Sequence, residues 1–228
     1  MNQPTTKVLL RKCLAESVGT FVLVFAGTGA IVIDDVTHGA ISHLGVGLVF
    51  GLVIMAMIYA LGEISGAHFN PAVTIGFWTA RRLPSRMAVF YILSQIAGAL
   101  VASGVMRGLF PAHAILGATL PSGSAMQSFI FELILTAVLM MVILCVSTGS
   151  KEVGIMAGIA IGGTVGLEAI FAGPICGASM NPARSIGPAV VSGQMATLWI
   201  YVVAPIIGAL LGVATWIGVR SPEQSSQK

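Results

Sequence analysis

Long runs of apolar residues alternate with shorter polar connections along the whole chain. A helix needs about 20 apolar residues to cross a hydrocarbon core of about 30 Å, and six runs are long enough to do so. The pattern therefore predicts an all-α membrane protein. Its six spanning helices are expected near Leu14 to Ile33, Leu44 to Leu61, Met87 to Met106, Met126 to Val146, Val153 to Phe171 and Ala196 to Val219.

Two shorter segments, residues 70–80 and 181–192, lie between these spans and begin with the same three residues. Asn is a favoured N-cap, and Pro is a favoured first helical residue because it has no N–H to leave unpaired there. About eleven residues of helix cover roughly 16 Å, half of the hydrocarbon core. Both segments are therefore predicted to be re-entrant half-helices. Their opening triplets are Asn70, Pro71, Ala72 and Asn181, Pro182, Ala183.

The composition supports a membrane protein. Of the 228 residues, 56% are hydrophobic and 8% are charged, against about 25% charged in an ordinary soluble domain. The net charge of +3 reports topology rather than nucleic-acid binding, because nine of the eleven Lys and Arg residues fall on one side of the predicted bundle. By the positive-inside rule that side is cytoplasmic, and both termini lie there. The nine are Lys7, Arg11, Lys12, Arg81, Arg82, Arg86, Lys151, Arg220 and Lys228, which leaves Arg107 and Arg184 outside.

The chain contains an internal repeat. The eleven residues around each Asn-Pro-Ala triplet agree at seven positions, and Glu16 in the first helix has a counterpart in Glu132 of the fourth. Each half carries three spanning helices, an odd number, so the halves must enter the membrane in opposite orientations. We therefore expect one channel domain over residues 1–228, built as an inverted 3+3 repeat from residues 12–107 and 126–219.

A pore is expected where the two half-helices meet near the midplane. Non-helical backbone is tolerated at that depth only if it is buried in protein or lines a water-filled cavity. The side-chain amides of Asn70 and Asn181 would donate hydrogen bonds to a solute oxygen, and carbonyls of residues 65–69 and 176–180 would accept from it. The positive ends of both half-helices, together with Arg184, would oppose cations and protons.

These motifs together resemble the aquaporins of the major intrinsic protein family over nearly the whole chain. The resemblance rests on the duplicated triplet, the arginine three residues after the second asparagine, and the glutamate in the first and fourth helices. It implies a right-handed bundle and a homotetramer in membrane lipid, with one pore per subunit and no cofactor. The stretches GAHFNPAVTI and AGPICGASMNPARSIGPAV most resemble plant nodulin-like intrinsic proteins and their bacterial relatives. Compact loops and the lack of long tails favour a bacterial inner membrane.

The family's narrowest constriction comprises four positions, which the motif distances place at Phe50, Ala169, Ala178 and Arg184. Water-selective relatives carry a histidine at the position of Ala169, and glycerol facilitators tend to pair a tryptophan with a second aromatic residue. Two alanines imply a wider and less polar aperture, so the resemblance implies passage of small uncharged solutes such as glycerol. Urea and the neutral hydroxides of boron, silicon and arsenic, known for the nodulin-like branch, are an extrapolation. Ser185 resembles the water-selective branch instead.

Three residues are expected to support the pore. Glu16 and Glu132 would accept backbone N–H groups of the re-entrant loops, with a proton relay as the alternative. His68 resembles a family residue that shapes the inner vestibule, and no second ligand at metal spacing supports a metal site. Two roles stay open: Glu63 lies at the cytoplasmic mouth, and Glu168 either braces the outer loop or lies near the pore.

The sequence therefore predicts a passive channel for water and small neutral solutes. An enzyme is not expected, because the chain offers no constellation of nucleophile and base. A water-selective aquaporin and a coupled secondary transporter remain alternatives, since inverted repeats occur in transporters too. Coupling would need ionisable pairs at the substrate site, and Arg184 has no obvious partner within the membrane. Cys176 would make the channel sensitive to mercurials if its thiol faced the pore.

Overall fold

The computed structural model describes residues 5–150 and 154–220, and within these ranges the chain is helical and contains no β-strand. Six of its long helices are apolar enough to cross a membrane. Two short helices lie between them, so the predicted all-α fold class is confirmed. In chain order the helices are α1 (Thr6–Val36), α2 (Ser42–Ser65), α3 (Pro71–Thr79), α4 (Ser85–Leu109), α5 (Ala125–Ser147), α6 (Ala157–Cys176), α7 (Pro182–Ser192) and α8 (Leu198–Val219).

The ends of the spanning helices differ from the predicted spans. Helix α1 begins at Thr6 rather than Leu14, because the basic first turns are helical although they are too polar for the hydrocarbon core. The predicted start of the fifth span, Val153, lies outside the described residues, as do Lys151 and Lys228. At its other end α6 continues to Cys176, five residues past the predicted end at Phe171.

Pro174 lies inside the last turn of α6 without ending the helix. Because proline has no N–H, the carbonyl of Ile170 loses its helical partner. The imidazole of His43, at the start of α2, donates to that carbonyl from Nε2 over 2.7 Å. This contact between helices gives the unpaired carbonyl a partner in α2.

The contacts between helices repeat in the two halves of the chain. Helix α1 packs on α4 as α5 packs on α8, and α1 packs on α2 as α5 packs on α6. Each half-helix packs mainly on the last helix of the other half, α3 on α8 and α7 on α4. The two halves are thereby interlocked around the half-helices.

Close packing between α2 and α6 depends on glycines. A Cβ at Gly51 would lie 2.7 Å from the carbonyl oxygen of Gly162, and a Cβ at Gly162 would lie 2.6 Å from that of Gly51. Small residues are typical where membrane helices approach closely, because dispersion contacts between backbones replace the hydrophobic effect. The crossing joins the second helix of one half to the second helix of the other.

Candidate pore

The two half-helices begin as their sequence predicts. Helix α3 starts at Pro71, and the side-chain oxygen of Asn70 accepts the N–H of Ala72 at 2.9 Å. Helix α7 starts at Pro182, and Asn181 accepts the N–H of Ala183 at 3.0 Å. Each asparagine is therefore an N-cap whose oxygen is occupied by its own helix, which leaves the amide nitrogen free to point elsewhere.

The amide nitrogens bind across the junction of the two halves. Asn70 Nδ2 donates to the carbonyl of Met180 at 2.7 Å, and Asn181 Nδ2 donates to the carbonyl of Phe69 at 2.8 Å. Both acceptors are the residues immediately before the opposite asparagine. This reciprocal pair of hydrogen bonds fixes the two helix N-termini against each other and uses one of the two N–H groups of each amide.

The loops before the half-helices have the same unusual backbone in both halves. Ala67 and Phe69 have φ of +53° and +48°, and Ala178 and Met180 have φ of +39° and +52°. Positive φ is uncommon for residues other than glycine, so such loops need support from their surroundings.

Glu16 supports the first of these loops. Its carboxylate accepts the N–H of His68 at 3.0 Å on Oε1 and the N–H of Phe69 at 2.7 Å on Oε2. The hydroxyl of Ser65 and the amide of Gln95 donate to the same carboxylate. Glu16 is fully buried, and four donors compensate for the loss of water around its charge.

Glu132 supports the second loop in the equivalent way. Its two oxygens accept the N–H groups of Ser179 and Met180, each at 2.7 Å. The side chain is fully buried in α5. Both glutamates thus contact backbone N–H groups of the loops, the geometry that structural support requires, and neither forms an ion pair in the part of the chain that the structure describes.

A cavity of about 700 Å³ contains the meeting point of the half-helices. Along α2 its wall extends from Phe50 to Glu63, about 20 Å of helix. The rest of the wall is mostly apolar and includes Leu23 and Val73. The predicted pore residues that line it are Asn70, Asn181, Phe50, Ala178, Arg184 and His68.

Arg184 lies against Phe50 at this cavity. The guanidinium carbon is 5.1 Å from the centre of the phenyl ring, within the range of a cation–π contact. Nη1 donates to the carbonyl of Gly117 at 2.9 Å. Nε is buried and has no partner within residues 5–150 and 154–220. The arginine is therefore held by a ring and a carbonyl rather than by a carboxylate.

Ala169 is the one predicted constriction residue that does not line the cavity. It lies in α6 one turn beyond Val165, which does line it, and belongs to the same apolar cluster as Phe50 and Ala178. Its methyl group is buried in that cluster. A longer side chain at residue 169 would add to the part of the cavity wall that Val165 forms on α6.

The remaining sequence candidates are placed as follows. His68 lines the cavity, stacks on Phe77 at 4.5 Å and contacts the hydroxyl of Thr74 through Nδ1 at 3.1 Å. Glu63 is exposed at the mouth. Glu168 is buried, does not line the cavity, and has an Oε2 without a partner among the described residues. The thiol of Cys176 is buried away from the cavity wall, so nothing supports access by mercurials.

The sequence did not predict several residues that support the re-entrant loops and Arg184. The hydroxyl of Tyr91 donates to the carbonyl of Ser65 at 2.7 Å, and Gln95 also donates to Thr74 at 2.9 Å. Both side chains lie in the apolar run of α4, where a polar residue is itself a signal of a buried partner. The contribution of Gly117 had no such signal, because a backbone carbonyl leaves no trace in a sequence.

Six spanning helices around two opposed, capped half-helices and one cavity define a membrane protein of the channel class. The family model described as major intrinsic protein matches residues 3–216. The chain belongs to this family, and it is therefore an aquaporin-type channel rather than an enzyme.

Similar proteins agree with this assignment. The chain is 49% identical to aquaporin NIP1-1 of Zea mays over 92% of its own length and 75% of that protein. It is 46% identical to nodulin-26 of Glycine max, over 92% of this chain and 78% of that one. The X-ray structure of the aquaglyceroporin from Plasmodium falciparum matches with a TM-score of 0.83 at 25% identity, covering 95% of this chain and 99% of that one.

Proposed function

We propose that this protein is a passive channel for water and small uncharged solutes such as glycerol, and that it excludes ions and protons. The observation that carries the proposal is the reciprocal pair of Asn70 and Asn181 amides inside the cavity that Arg184 also lines. The likeness to a solved aquaglyceroporin supports glycerol as a substrate. Urea and the neutral hydroxides of boron, silicon and arsenic are further candidates, because they too are small and uncharged.

A solute that enters the cavity loses water and must regain hydrogen bonds from the wall. Each asparagine amide has one N–H left after the reciprocal bond, and it donates to the solute oxygen. The guanidinium of Arg184, which also lines the cavity, supplies a further donor. Loop carbonyls of residues 66–68 and 178–180, which line the cavity, accept from the solute hydroxyl.

Charge selectivity follows from the same elements. Both half-helices direct their N-termini, which carry partial positive charge, at the centre of the cavity. Arg184 adds a full charge beside Phe50, and no carboxylate among the described residues is paired with it. The positive potential of these elements therefore raises the free energy of a cation that has lost its hydration shell, and it has little effect on an uncharged solute.

Selection by size is assigned to Phe50, Ala169, Ala178 and Arg184. Phe50 and Arg184 are in contact at the cavity, Ala178 lines it with a small side chain, and Ala169 belongs to the same apolar cluster as Phe50 and Ala178. A water-selective channel is the alternative, which Ser185 favours by resemblance. A coupled secondary transporter is the less favoured alternative, because coupling needs an ionisable partner at the site and Arg184 is held by uncharged groups.

Repeat structure, assembly and orientation complete the proposal. The repeated helix contacts support inverted repeats at residues 12–107 and 126–219. The family resemblance supports a homotetramer embedded in lipid, and the Lys and Arg count supports cytoplasmic termini. A bacterial inner membrane is proposed from the compact loops alone, while the relatives described above are plant proteins.

The test is transport by the purified protein in liposomes, followed by stopped-flow light scattering. Osmotic shrinkage and glycerol entry should both be faster than in empty liposomes, and a proton gradient should persist. Faster water movement without glycerol entry would favour the water-selective alternative. Uptake that requires an ion gradient, or a proton leak, would overturn the proposal.

A further inference from the structure

The connection between α4 and α5, residues 110–124, folds onto the cavity end that holds Arg184. The carbonyl of Gly117 accepts from Arg184 Nη1 at 2.9 Å. The hydroxyl of Thr119 contacts that of Ser185, the next residue of α7, at 2.7 Å. The position of the guanidinium therefore depends on the conformation of this connection.

That conformation is an unusual one. Leu116 and Gly117 have φ of +50° and +69°. Leucine rarely adopts positive φ, so the turn is held by its surroundings rather than by its own preference. Leu116 is fully buried, and Gly117 lies so close to Thr28 of α1 that a Cβ there would be 2.9 Å from the threonine Cβ.

The imidazole of His113 holds this turn. Its Nδ1 accepts the N–H of Leu116 at 3.0 Å, and its Nε2 lies 3.2 Å from Asp35 Oδ2 at the end of α1. A backbone N–H can only donate, so Nδ1 must present its lone pair and the imidazole proton must be on Nε2, where it donates to Asp35. The contacts thus define one tautomer of a neutral histidine.

The charged groups around His113 come from both neighbouring helices. Asp35 of α1 contacts its ring, and Arg107 of α4 donates from Nη1 to the carbonyl of His113 at 2.8 Å and to that of Pro111 at 3.0 Å. Asp34 is directed elsewhere, since it accepts the N–H groups of Ile41 and Ser42. The backbone at residue 113 is therefore anchored by Arg107, and the ring nitrogens connect Leu116 to Asp35.

We infer that His113 is a positioning residue for Arg184 and that the channel responds to external acid through it. Protonation places a hydrogen on Nδ1, which faces the N–H of Leu116, so the acceptor is lost and the two N–H groups repel. The turn at Leu116 and Gly117 then loosens, and Arg184 loses its carbonyl. The released guanidinium enters the aperture beside Phe50 and obstructs the larger solute most.

The inference rests on the proposed function for its effect on transport. Histidine side chains titrate between about pH 5 and 8, so glycerol entry should be fast at about pH 7.5 and slower at about pH 5.5. Loss of the hydrogen bond to Leu116 should shift the balance between the held and the loosened turn about fivefold, and the rate of glycerol entry should fall by about the same factor. Water entry should fall less, because water is the smaller solute.

Two substitutions separate the functions of the two ring nitrogens. His113→Asn places an amide oxygen where Nδ1 lies, so the N–H of Leu116 keeps an acceptor that does not titrate; glycerol entry should be fast at both pH values. His113→Gln carries its amide one carbon farther out, toward Asp35, and leaves Leu116 without an acceptor; entry should be slow at both. His38→Asn is the matched control, because it removes an exposed outer histidine at φ +56°, which asparagine tolerates. It should behave as the wild type does.

Hydrogen exchange provides a readout that needs no transport. At one pH, amides of residues 110–124 should exchange faster in His113→Gln than in His113→Asn, while the spanning helices exchange alike in both. The inference would be overturned by equal exchange in the two variants. It would also be overturned if glycerol entry through the wild type did not depend on pH, or if glycerol entry through His113→Asn were slower at about pH 5.5 than at about pH 7.5. If the wild-type protein passes neither water nor glycerol, the proposed function is wrong, and the exchange comparison still decides whether His113 positions the turn.

Discussion

At the scale of single residues, one difference between the two repeats defines the character of the cavity. Val73 and Arg184 occupy equivalent places after their asparagines, and both line the cavity. The backbone N–H of each donates to the capping asparagine, at 3.5 Å and 3.3 Å. Their side chains differ: the valine adds to an apolar wall, while the arginine reaches Phe50 and Gly117. The two halves therefore share the same helix cap, and only the second half adds a charged side chain to the cavity.

Ala169→His tests whether the constriction is placed correctly. A histidine here would reach the cavity that the alanine methyl does not, and it would narrow and polarise the aperture beside Arg184. The ratio of glycerol to water permeability should fall about tenfold, the size of effect that small changes in a pocket produce. Stopped-flow light scattering measures both rates.

Ala157→His is the matched control for that substitution, because residue 157 also lines the cavity on α6 but three turns away from residue 169. Its ratio should stay at the wild-type value. Ala178 should not be replaced by a β-branched residue in the same experiment, because its φ of +39° would be strained with such a side chain. An unchanged ratio in Ala169→His would show that the constriction lies elsewhere.

Glu132→Gln tests the support of the second re-entrant loop. Glutamine offers one acceptor oxygen in place of two, and its amide would face a backbone N–H. The loss of a charge-assisted hydrogen bond should lower the free energy of unfolding by about 2 kcal/mol, and the thermal midpoint in detergent should fall. Glu63→Gln, at an exposed position, should leave the midpoint unchanged. Equal midpoints in the two variants would contradict a supporting role for Glu132.

At the scale of secondary-structure elements, the two short capped helices are stabilised by contacts with other helices. Helix α3 has nine residues, and an isolated helix of that length is unstable in water. Its N-terminus is fixed by the amide contacts with the second half, and its side is covered by α8. In the same way, the N-terminus of α7 is fixed by the amide of Asn70, and its side is covered by α4. Each half-helix is therefore stable only when the two repeats come together.

The crossing of α2 and α6 supplies a prediction at this scale. In Gly162→Ala the new methyl group would meet the carbonyl oxygen of Gly51 at 2.6 Å, so the helices must move apart. Overpacking of this kind costs about 1–3 kcal/mol, which thermal or denaturant unfolding in detergent would detect.

Gly163→Ala is the control on the same helix. A Cβ at Gly163 would meet no atom within 4 Å, and alanine is the better helix former by about 1 kcal/mol. This variant should be as stable as the wild type or slightly more stable. If both variants behave alike, close approach of α2 and α6 is not what the glycine provides.

At the scale of the whole molecule, the outer surface is as apolar as a membrane protein requires. Large apolar side chains are exposed on the spanning helices, among them Leu14, Leu52, Ile134 and Leu167. Lipid tails and neighbouring subunits both satisfy such a surface. The predicted tetramer would bury part of it between subunits.

Native mass spectrometry of the protein in mild detergent should give four copies of the 23.5 kDa chain. Orientation can be tested in cells that express a variant in which Cys13, Cys145 and Cys176 are replaced by serine and one new cysteine is added at an exposed position. A membrane-impermeant maleimide should label Ala112→Cys in intact cells and Arg86→Cys only after lysis. A monomer, or the reverse labelling pattern, would contradict the proposed assembly or topology.

The sequence by itself determined the class of fold, because membrane spans depend on length and apolarity and the half-helices depend on local capping by Asn70 and Asn181. It also identified Glu16, Glu132 and Arg184 as candidates, because an ionisable residue in an apolar chain is conspicuous. Only the tertiary structure determined which groups form hydrogen bonds with the residues of the pore. The carbonyls of Phe69, Met180 and Gly117 carry no side-chain signal, and they lie close only when distant parts of the chain are folded together. For the same reason nothing in the sequence indicated that His43 contacts the carbonyl of Ile170 or that His113 accepts the N–H of Leu116.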